Sequence, residues 1–434
     1  MAQLKDDCFA FGGDLLPLED ALARLKGRVD VIAGTESIPL DQCLGRIVAE
    51  TVAADVAVPP HDNSAVDGYA VYFSDLTEGR ETHLSVGGRI AAGHPLGHEA
   101  SRGQAYRIFT GAPMPMGSDG TQASGPDTVF MEEDVSLDGT SVVLPSGLKK
   151  GANCRFKGED ITVGQTLIES GTRIRPQDIG LAASVGQTSL TVYRALKVCV
   201  FSTGDEIQNP GDAHRDGSVF DANRFTIKAL LRGIGLTVTD LGILVDDEES
   251  IAAALSKAAT NHDLIITTGG VSAGEEDHVK AAIERQGCLD FWRLAIKPGR
   301  PIALGHIRNS TGTEITPFFG LPGNPVAAMV TFMMIARPII FALQGARLQD
   351  TTPARFQVPS AFAATKKKGR REWLRGLLKL NDQGKTVVEK YRSSGAGILT
   401  SMTLSSGLIE LSEDRTDVSP GDLLDYIPFS EVMG

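Results

Sequence analysis

Four short stretches hold most of the side chains able to do chemistry: "STGDE" at 202–206, "DANR" at 221–224, "TTGGVSAGEED" at 267–277 and "GLPGNP" at 320–325. Gly269 and Gly270 let backbone approach an anion closely and present several N–H groups together. Neither a P-loop lysine nor the three-glycine dinucleotide spacing accompanies them. The pair therefore reads as a lysine-free phosphate turn or as an ordinary tight turn. In "GLPGNP", Pro322 and Pro325 stiffen the loop, Gly323 permits a sharp turn, and Pro325 suits a first helical turn with free amides beyond it. A plain capping loop would use the same residues. Asp205 and Glu206 close one apolar run, while Glu275, Glu276 and Asp277 close another. If both loops reach one rim, Glu206 and Asp277 can share Mg²⁺, which favours carboxylates, waters and substrate phosphates. Otherwise these acids are solvated caps at helix N-termini. Asp246 and Asp247, ahead of "EESIAAAL", are either N-caps or further rim ligands.

"FWRLAIKPGRP" at 291–301 adds Arg293, Lys297 and Arg300 to an apolar segment. In a single strand, positions 293 and 297 face the same side, as either an anion clamp or two solvent-facing cations on an edge strand. "PPHDNSAVDGYAV" at 59–71 crowds Asp62, Asn63, Ser64 and Asp67 into one turn, more polar groups than a plain Asx turn uses. "RIFTGAPMP" adds Thr110 and Gly111, and "NCRFKGED" adds Arg155, Lys157 and Asp160. Cys199, inside "KVCVF" with no histidine nearby, reads as a buried structural thiol. "KKKGRRE" at 366–372 lacks an aromatic ladder and is either a solvated hairpin tip or a partner contact.

The elements that must position these groups fall into blocks. Helical spacing at 15–28 and at 39–52 suggests a helical and extended frame in two segments, 1–52 and 150–177. Short apolar runs broken by glycine and proline predict an inserted β domain over 53–149. From 178 to 330, strand-like and helix-like segments alternate, as in a layered α/β domain whose apolar runs form covered parallel strands. "VAAMVTFMMIARPIIFALQG" predicts a buried helix broken near Pro338, leading into a linking helix at 331–351. Its Arg337 and Pro338 disfavour a membrane span. Short apolar runs over 352–434 predict a compact C-terminal β domain, a small β-barrel or a sandwich.

With 42 Lys plus Arg against 54 Asp plus Glu, the formal charge is −12, which excludes broad attraction to nucleic acid or an anionic membrane. Five scattered cysteines without C-x-x-C indicate neither a disulfide framework nor structural zinc, in keeping with a reducing cytoplasm.

The seven segments "PPHDNSAVDGYAV", "RIFTGAPMP", "GANCRFKGED", "STGDE", "TTGGVSAGEED", "FWRLAIKPGRP" and "GLPGNP", in that order, resemble the molybdopterin molybdenumtransferase family, called MoeA in bacteria and represented by the gephyrin E domain in animals. The resemblance implies a multidomain α/β homodimer that takes adenylated molybdopterin, inserts molybdate and releases AMP with Mg²⁺. It implies catalytic roles for Asp62, Thr110, Asp160, Glu206, Asp277, Arg293 and Lys297. Substrate binding would fall to Thr203, Gly204, Asn223, Gly269, Gly270, Ser272, Pro298, Gly299, Pro322, Gly323, Asn324 and Pro325. Glu206, Asp277 and Asp246 or Asp247 would serve Mg²⁺. Asp62 and Thr110 would face the α/β domain of the other subunit, and contacts with molybdopterin adenylyltransferase and apo molybdoenzymes would be transient. Adenylation of molybdopterin, and a dimeric scaffold without catalysis, are the competing functions. Three departures stand out: Arg293 where lysine is usual, His61 where phenylalanine is usual, and extra loop length at "TQASGP", expected as a surface insertion.

Overall fold

The computed structural model describes residues 15–26, 29–270, 278–299, 301–309 and 315–433; the side chains of 24–26 and 290–293 lie outside that description. The first unit is held by pairing between segments far apart in sequence. Thr35–Pro39 pairs antiparallel with Ser189–Tyr193, which pairs in turn with Ile47–Val48. Thr166–Ile168 pairs with Val52–Ala53. The expected boundary at 178 falls inside the helix Pro176–Ser184, and this ladder carries the first unit to Tyr193. Residues 39–52 do not form the expected helix. Only a 3₁₀ turn at Leu40–Gln42 forms; Gly45 then adopts φ +75, and the β-branched Ile47 and Val48 are both buried in a strand.

Between these segments lies a six-stranded β unit with the strand order 128–131, 68–71, 104–108, 82–90, 141–144, 136–138. Alternation buries both faces: Tyr69 and Val71 enter one cluster, Ala70 and Tyr72 the other.

The α/β unit has strand order 237–244, 197–203, 264–268, 315–321, 301–308, 287–293. The first four are parallel; 197–203, 264–268 and 315–321 are buried along most of their length, whereas the edge strand 237–244 is partly exposed. The last two are antiparallel additions, so the sheet is mixed rather than wholly parallel. Chain order reverses beside Lys197–Thr203: the next strand joins on one side and the following one, Leu264–Thr268, on the other. The C-terminal ends of 197–203 and 264–268 thus form a topological switch point, where open α/β sheets bind ligands.

Pro325–Leu343 is one continuous helical run, 94% buried over its most apolar window, so its length suffices for a membrane but its surface belongs to the core. The expected break at Pro338 is met by a π-helical turn, Phe332–Ala336, which absorbs the hydrogen bond that Pro338 cannot make. The buried residues of this helix belong to one apolar cluster that also holds Val198, Ile266 and Phe319 of the α/β unit and Trp373, Leu408 and Ile427 of the C-terminal unit, joining the two cores. The C-terminal sheet runs 296–297, 371–380, 407–411, 423–428, 356–359, with 386–390 on the second edge of 371–380. Its far edges touch at one bridge, Ser360 to Val388, and Ala361 N–H donates to the Val388 carbonyl at 2.9 Å. The expected barrel is thus a curled sheet closed at a single point, without a continuous seam.

A buried ion cluster fixes one wall of the switch point. Arg224, 4% exposed, donates to Asp221 at 2.8 Å and to Asp240 at 2.6 Å, and Lys228 pairs with Asp240 as well. Burial raises the Asp240 pKa, but hydrogen bonds from Lys228 and Arg224 outweigh it and bring it from 3.8 to about 2. A depressed carboxylate pKa contributes stability above the unfolded value that is lost as pH falls through the folded one. Asp240→Asn is expected to cost about 3 kcal/mol in urea denaturation at neutral pH. The gap from wild type should narrow as pH falls from 3.8 towards about 2.

Candidate active site

An open cleft of about 1450 Å³ lies at the switch point, lined by residues from 202–207, 219–223, Asp246, 268–270, His278, 296–299, Pro301, 322–327 and 394–397. Its floor exists because glycines stand where strands end. Gly270 has φ +62, and a Cβ there would lie 2.6 Å from Thr203 Cγ2 and 2.7 Å from Val279 Cγ2. A Cβ on Gly269, at φ +91, would lie 3.5 Å from the Thr203 carbonyl, and one on Gly323 would be 3.9 Å from Gly269 Cα. The loops after 203, 268 and 321 therefore meet at one rim, with backbone close enough to hold a ligand.

Thr203, Gly204, Glu206, Asn223, Asp246, Gly269, Gly270, Lys297, Pro298, Gly299, Pro322, Gly323, Asn324 and Pro325 all border this cleft. Asn223 Nδ2 donates to the Gly323 carbonyl at 2.7 Å, so this amide locks the 320–325 loop. Thr203 Oγ1 donates to Asp246 Oδ1 at 3.1 Å and turns that carboxylate toward the strand end. The Glu206 carboxylate folds back over Gly204, whose Cβ would come within 2.6 Å of it. The two neighbouring aspartates differ. Asp246 borders the cleft, whereas Asp247 accepts from Ser250 N–H at 3.0 Å as the N-cap of Glu248–Asn261, and hydrogen bonding from the Ser250 hydroxyl and then from this N–H lowers its pKa. Asp277, Ser272, Glu275, Glu276 and Arg300 lie outside the described residues, as does the Arg293 side chain. Among the described residues no group of three metal-binding side chains gathers.

Two readings of local geometry change. Lys297 and Arg293 do not share a strand: Gly287–Arg293 ends the α/β sheet, while Ile296–Lys297 pairs with Arg371–Glu372 in the C-terminal sheet. Even spacing therefore places no clamp here. The amides after Pro325 are also not all free, because Val326 N–H donates to the Ala396 carbonyl at 2.9 Å.

Asp62 and Thr110 lie elsewhere, on the inserted unit, and Asp160 on the segment that follows it; none borders the cleft of its own chain. Asp62 Oδ1 accepts from Lys157 N–H at 2.8 Å, Asp160 N–H donates to the Val58 carbonyl at 3.0 Å, and Gly111 N–H donates to the Ser64 carbonyl at 2.8 Å. Thr110 gives both its N–H, at 2.8 Å, and its hydroxyl, at 2.7 Å, to Asp67 Oδ1, holding that carboxyl below the usual range. The "TQASGP" stretch does more than lengthen a surface loop. Gln122 accepts from Asp62 N–H at 3.0 Å and donates to the Asp62 and Met114 carbonyls, both at 2.8 Å, so the extra residues brace the Asp62 turn.

Burial raises the Cys199 thiol to about 12, consistent with an inert core residue. In "KKKGRRE", Arg371 pairs with Glu413 and Glu19, and Lys368 with Asp414 at 3.4 Å. The sequence reading missed Ser394, Ala396 and Gly397, which form a cleft wall, and Phe220, which is 45% exposed at its edge. The serine and glycine cluster "RSSGAG" is the one signal that pointed to the first three.

Three family descriptions match in order: "MoeA N-terminal region (domain I and II)" over residues 16–186, "Probable molybdopterin binding domain" over 199–342 and "MoeA C-terminal region (domain IV)" over 357–429. A molybdopterin molybdenumtransferase of Haemophilus influenzae is 38% identical over 421 residues, 97% of this chain and 100% of that protein. Molybdopterin molybdenumtransferase 2 of Mycobacterium tuberculosis is 33% identical, covering 89% of this chain and 93% of its own length. The crystal structure of a molybdopterin biosynthesis moeA protein from Pyrococcus horikoshii OT3 superposes with a TM-score of 0.78 at 26% identity, over 96% of this chain and 100% of that one. A rim built from three strand ends, bordered by two carboxylates and a lysine, within a fold matched from end to end, makes this chain an enzyme of the MoeA family of molybdopterin molybdenumtransferases.

Proposed function

We propose that the chain inserts molybdate into adenylated molybdopterin and releases AMP in a Mg²⁺-dependent reaction, acting as a cytoplasmic homodimer. The observation that carries this reading is that Glu206 and Asp246 border the same cleft as Lys297. Two carboxylates facing a polyanionic substrate repel it unless a divalent cation stands between them. Mg²⁺ accepts one or two carboxylates and completes its shell with waters and phosphate oxygens, so this donor set suits it. Glu206 and Asp246 would hold it, with Asp277 as the expected further acid. When bound, it would neutralise charge developing on the phosphates.

The remaining roles fall to the chain's own groups. The Lys297 ammonium, 42% exposed, attracts an incoming oxyanion or a phosphate oxygen. Arg293, from the family likeness, would add a second cation. Backbone at Gly269 and Gly270 admits a phosphate closely, and the Asn223 bond keeps the 320–325 loop in place as the opposite wall. Pro298, Gly299, Pro322 and Pro325 shape the pocket for molybdopterin without adding charge. Release of AMP breaks the pyrophosphate bond of the adenylate and adds the elements of water across it; Glu206 and Asp246 are the groups placed to orient that water. Asp62, Thr110 and Asp160 would complete the cleft of a second copy, since they are braced yet border no cleft of their own chain. Transient contacts with molybdopterin adenylyltransferase and apo molybdoenzymes would supply substrate and take product.

Purified protein given adenylated molybdopterin, molybdate and Mg²⁺ is expected to release AMP and yield cofactor that activates an apo molybdoenzyme. No molybdate-dependent release above a heat-killed control would reject the reading. Glu206→Gln and Asp246→Asn should each slow release on the order of 10²-fold. Asp247→Asn should retain both turnover and melting temperature, because asparagine caps a helix about as well as aspartate. Mixing equal amounts of inactive Asp62→Asn and Glu206→Gln chains should restore about a quarter of the sites if sites are shared across a two-fold dimer. Absence of recovery, with exchange of chains confirmed by mass, would place Asp62 outside the partner's cleft.

A further inference from the structure

The cleft lysine is held from outside the α/β sheet. Ile296–Lys297 forms a two-residue parallel strand with Arg371–Glu372, and Arg371 N–H donates to the Ala295 carbonyl at 2.9 Å. Lys297 thus hangs from the strand Arg371–Leu380 of the C-terminal unit. Its Nζ lies 3.2 Å from Glu372 Oε2, and the Glu372 side chain is only 5% exposed. Three residues further on, Arg375, 2% exposed, donates to the carbonyls of Ser393 at 2.9 Å and Gly395 at 3.2 Å, and to Ser401 Oγ at 3.0 Å. Those bonds stiffen the loop whose Ala396 carbonyl meets Val326 N–H and whose Ser394, Ala396 and Gly397 wall the cleft. One strand, Arg371–Leu380, therefore sets both the cation and the wall beside it.

We propose that Glu372 is a positioning residue for oxyanion recognition. It acts through Lys297, fixing the ammonium by one charge-assisted bond while leaving its other donors for the incoming anion. A long, four-carbon lysine without that bond samples many rotamers, and each must be lost again when an anion binds. A buried carboxylate with a backbone-defined register opposite the lysine removes that cost beforehand. This inference rests on the functional reading above in taking molybdate as the anion, but its test does not need turnover.

The experiment measures calorimetric binding of inorganic molybdate to the full-length protein, for wild type, Glu372→Gln, Glu372→Asp, Lys297→Met and the Lys297→Met/Glu372→Gln double variant. Glu372→Gln is expected to weaken binding about 10-fold, with Glu372→Asp recovering part of the loss. The double variant should be no weaker than Lys297→Met alone, because residues acting through one contact are not additive. Unchanged molybdate affinity in Glu372→Gln overturns the proposal. So do additive losses in the double variant, which would give Glu372 a structural role independent of Lys297. Melting of each variant separates loss of fold from loss of binding. Failure of wild type to release AMP would sink the functional reading while leaving this binding cycle to decide the role of Glu372.

Discussion

The buried helix Pro325–Leu343 is the constraint on which the rest depends. Its apolar faces are shared between the α/β core and the C-terminal core, so neither unit buries its surface without the other. Gly299 must come so close to this helix that a Cβ would lie 2.3 Å from Thr331 Oγ1, which pins the Lys297 loop against it. Meanwhile Val326, near the start of the helix, is bonded to the C-terminal loop at Ala396. Packing free energy that scales with shared apolar area thus also fixes polar groups that contribute little to stability themselves.

The same logic explains why the switch point is both strained and functional. Gly204, Gly269 and Gly270 all have positive φ, and their missing side chains let three strand ends approach. Beside them the ion cluster around Arg224 fixes the start of the helix Ala222–Gly233, so Asn223 can reach across to Gly323. Acids that would be harmless caps on separate loops become a charged rim when the backbone brings them together. Asp246 and Asp247 show the division: one turns to the cleft by way of Thr203, its neighbour is spent on a helix amide.

The inserted unit follows a different plan. Its Asp62 is tied into a turn by Lys157 and Gln122 and its Thr110 by Asp67, while Asp160, just beyond it in sequence, donates its N–H to Val58; none borders the cleft formed by the same chain. Gln122, from the stretch that lengthens the loop, shows that an insertion can brace a site it does not belong to.

The sequence by itself determined the α/β unit, because covered parallel strands leave continuous apolar runs and helix ends leave glycines and N-cap acids. It likewise marked the loops at 202–206, 267–270 and 320–325, since close backbone approach demands residue types that few other roles require. It misread 39–52 as helix because glycine and adjacent β-branched residues won over the apolar spacing, and it treated 291–301 as one strand. That last error shows what only tertiary structure decided. Whether Lys297 faces Arg293 or Glu372 depends on which sheet captures two residues of backbone, and hydrogen-bond partners 75 positions apart leave no periodic trace in a local window. The same holds for the wall at 394–397 and for the curl of the last sheet: both are set by contacts between units, where distant segments compete for the same edge.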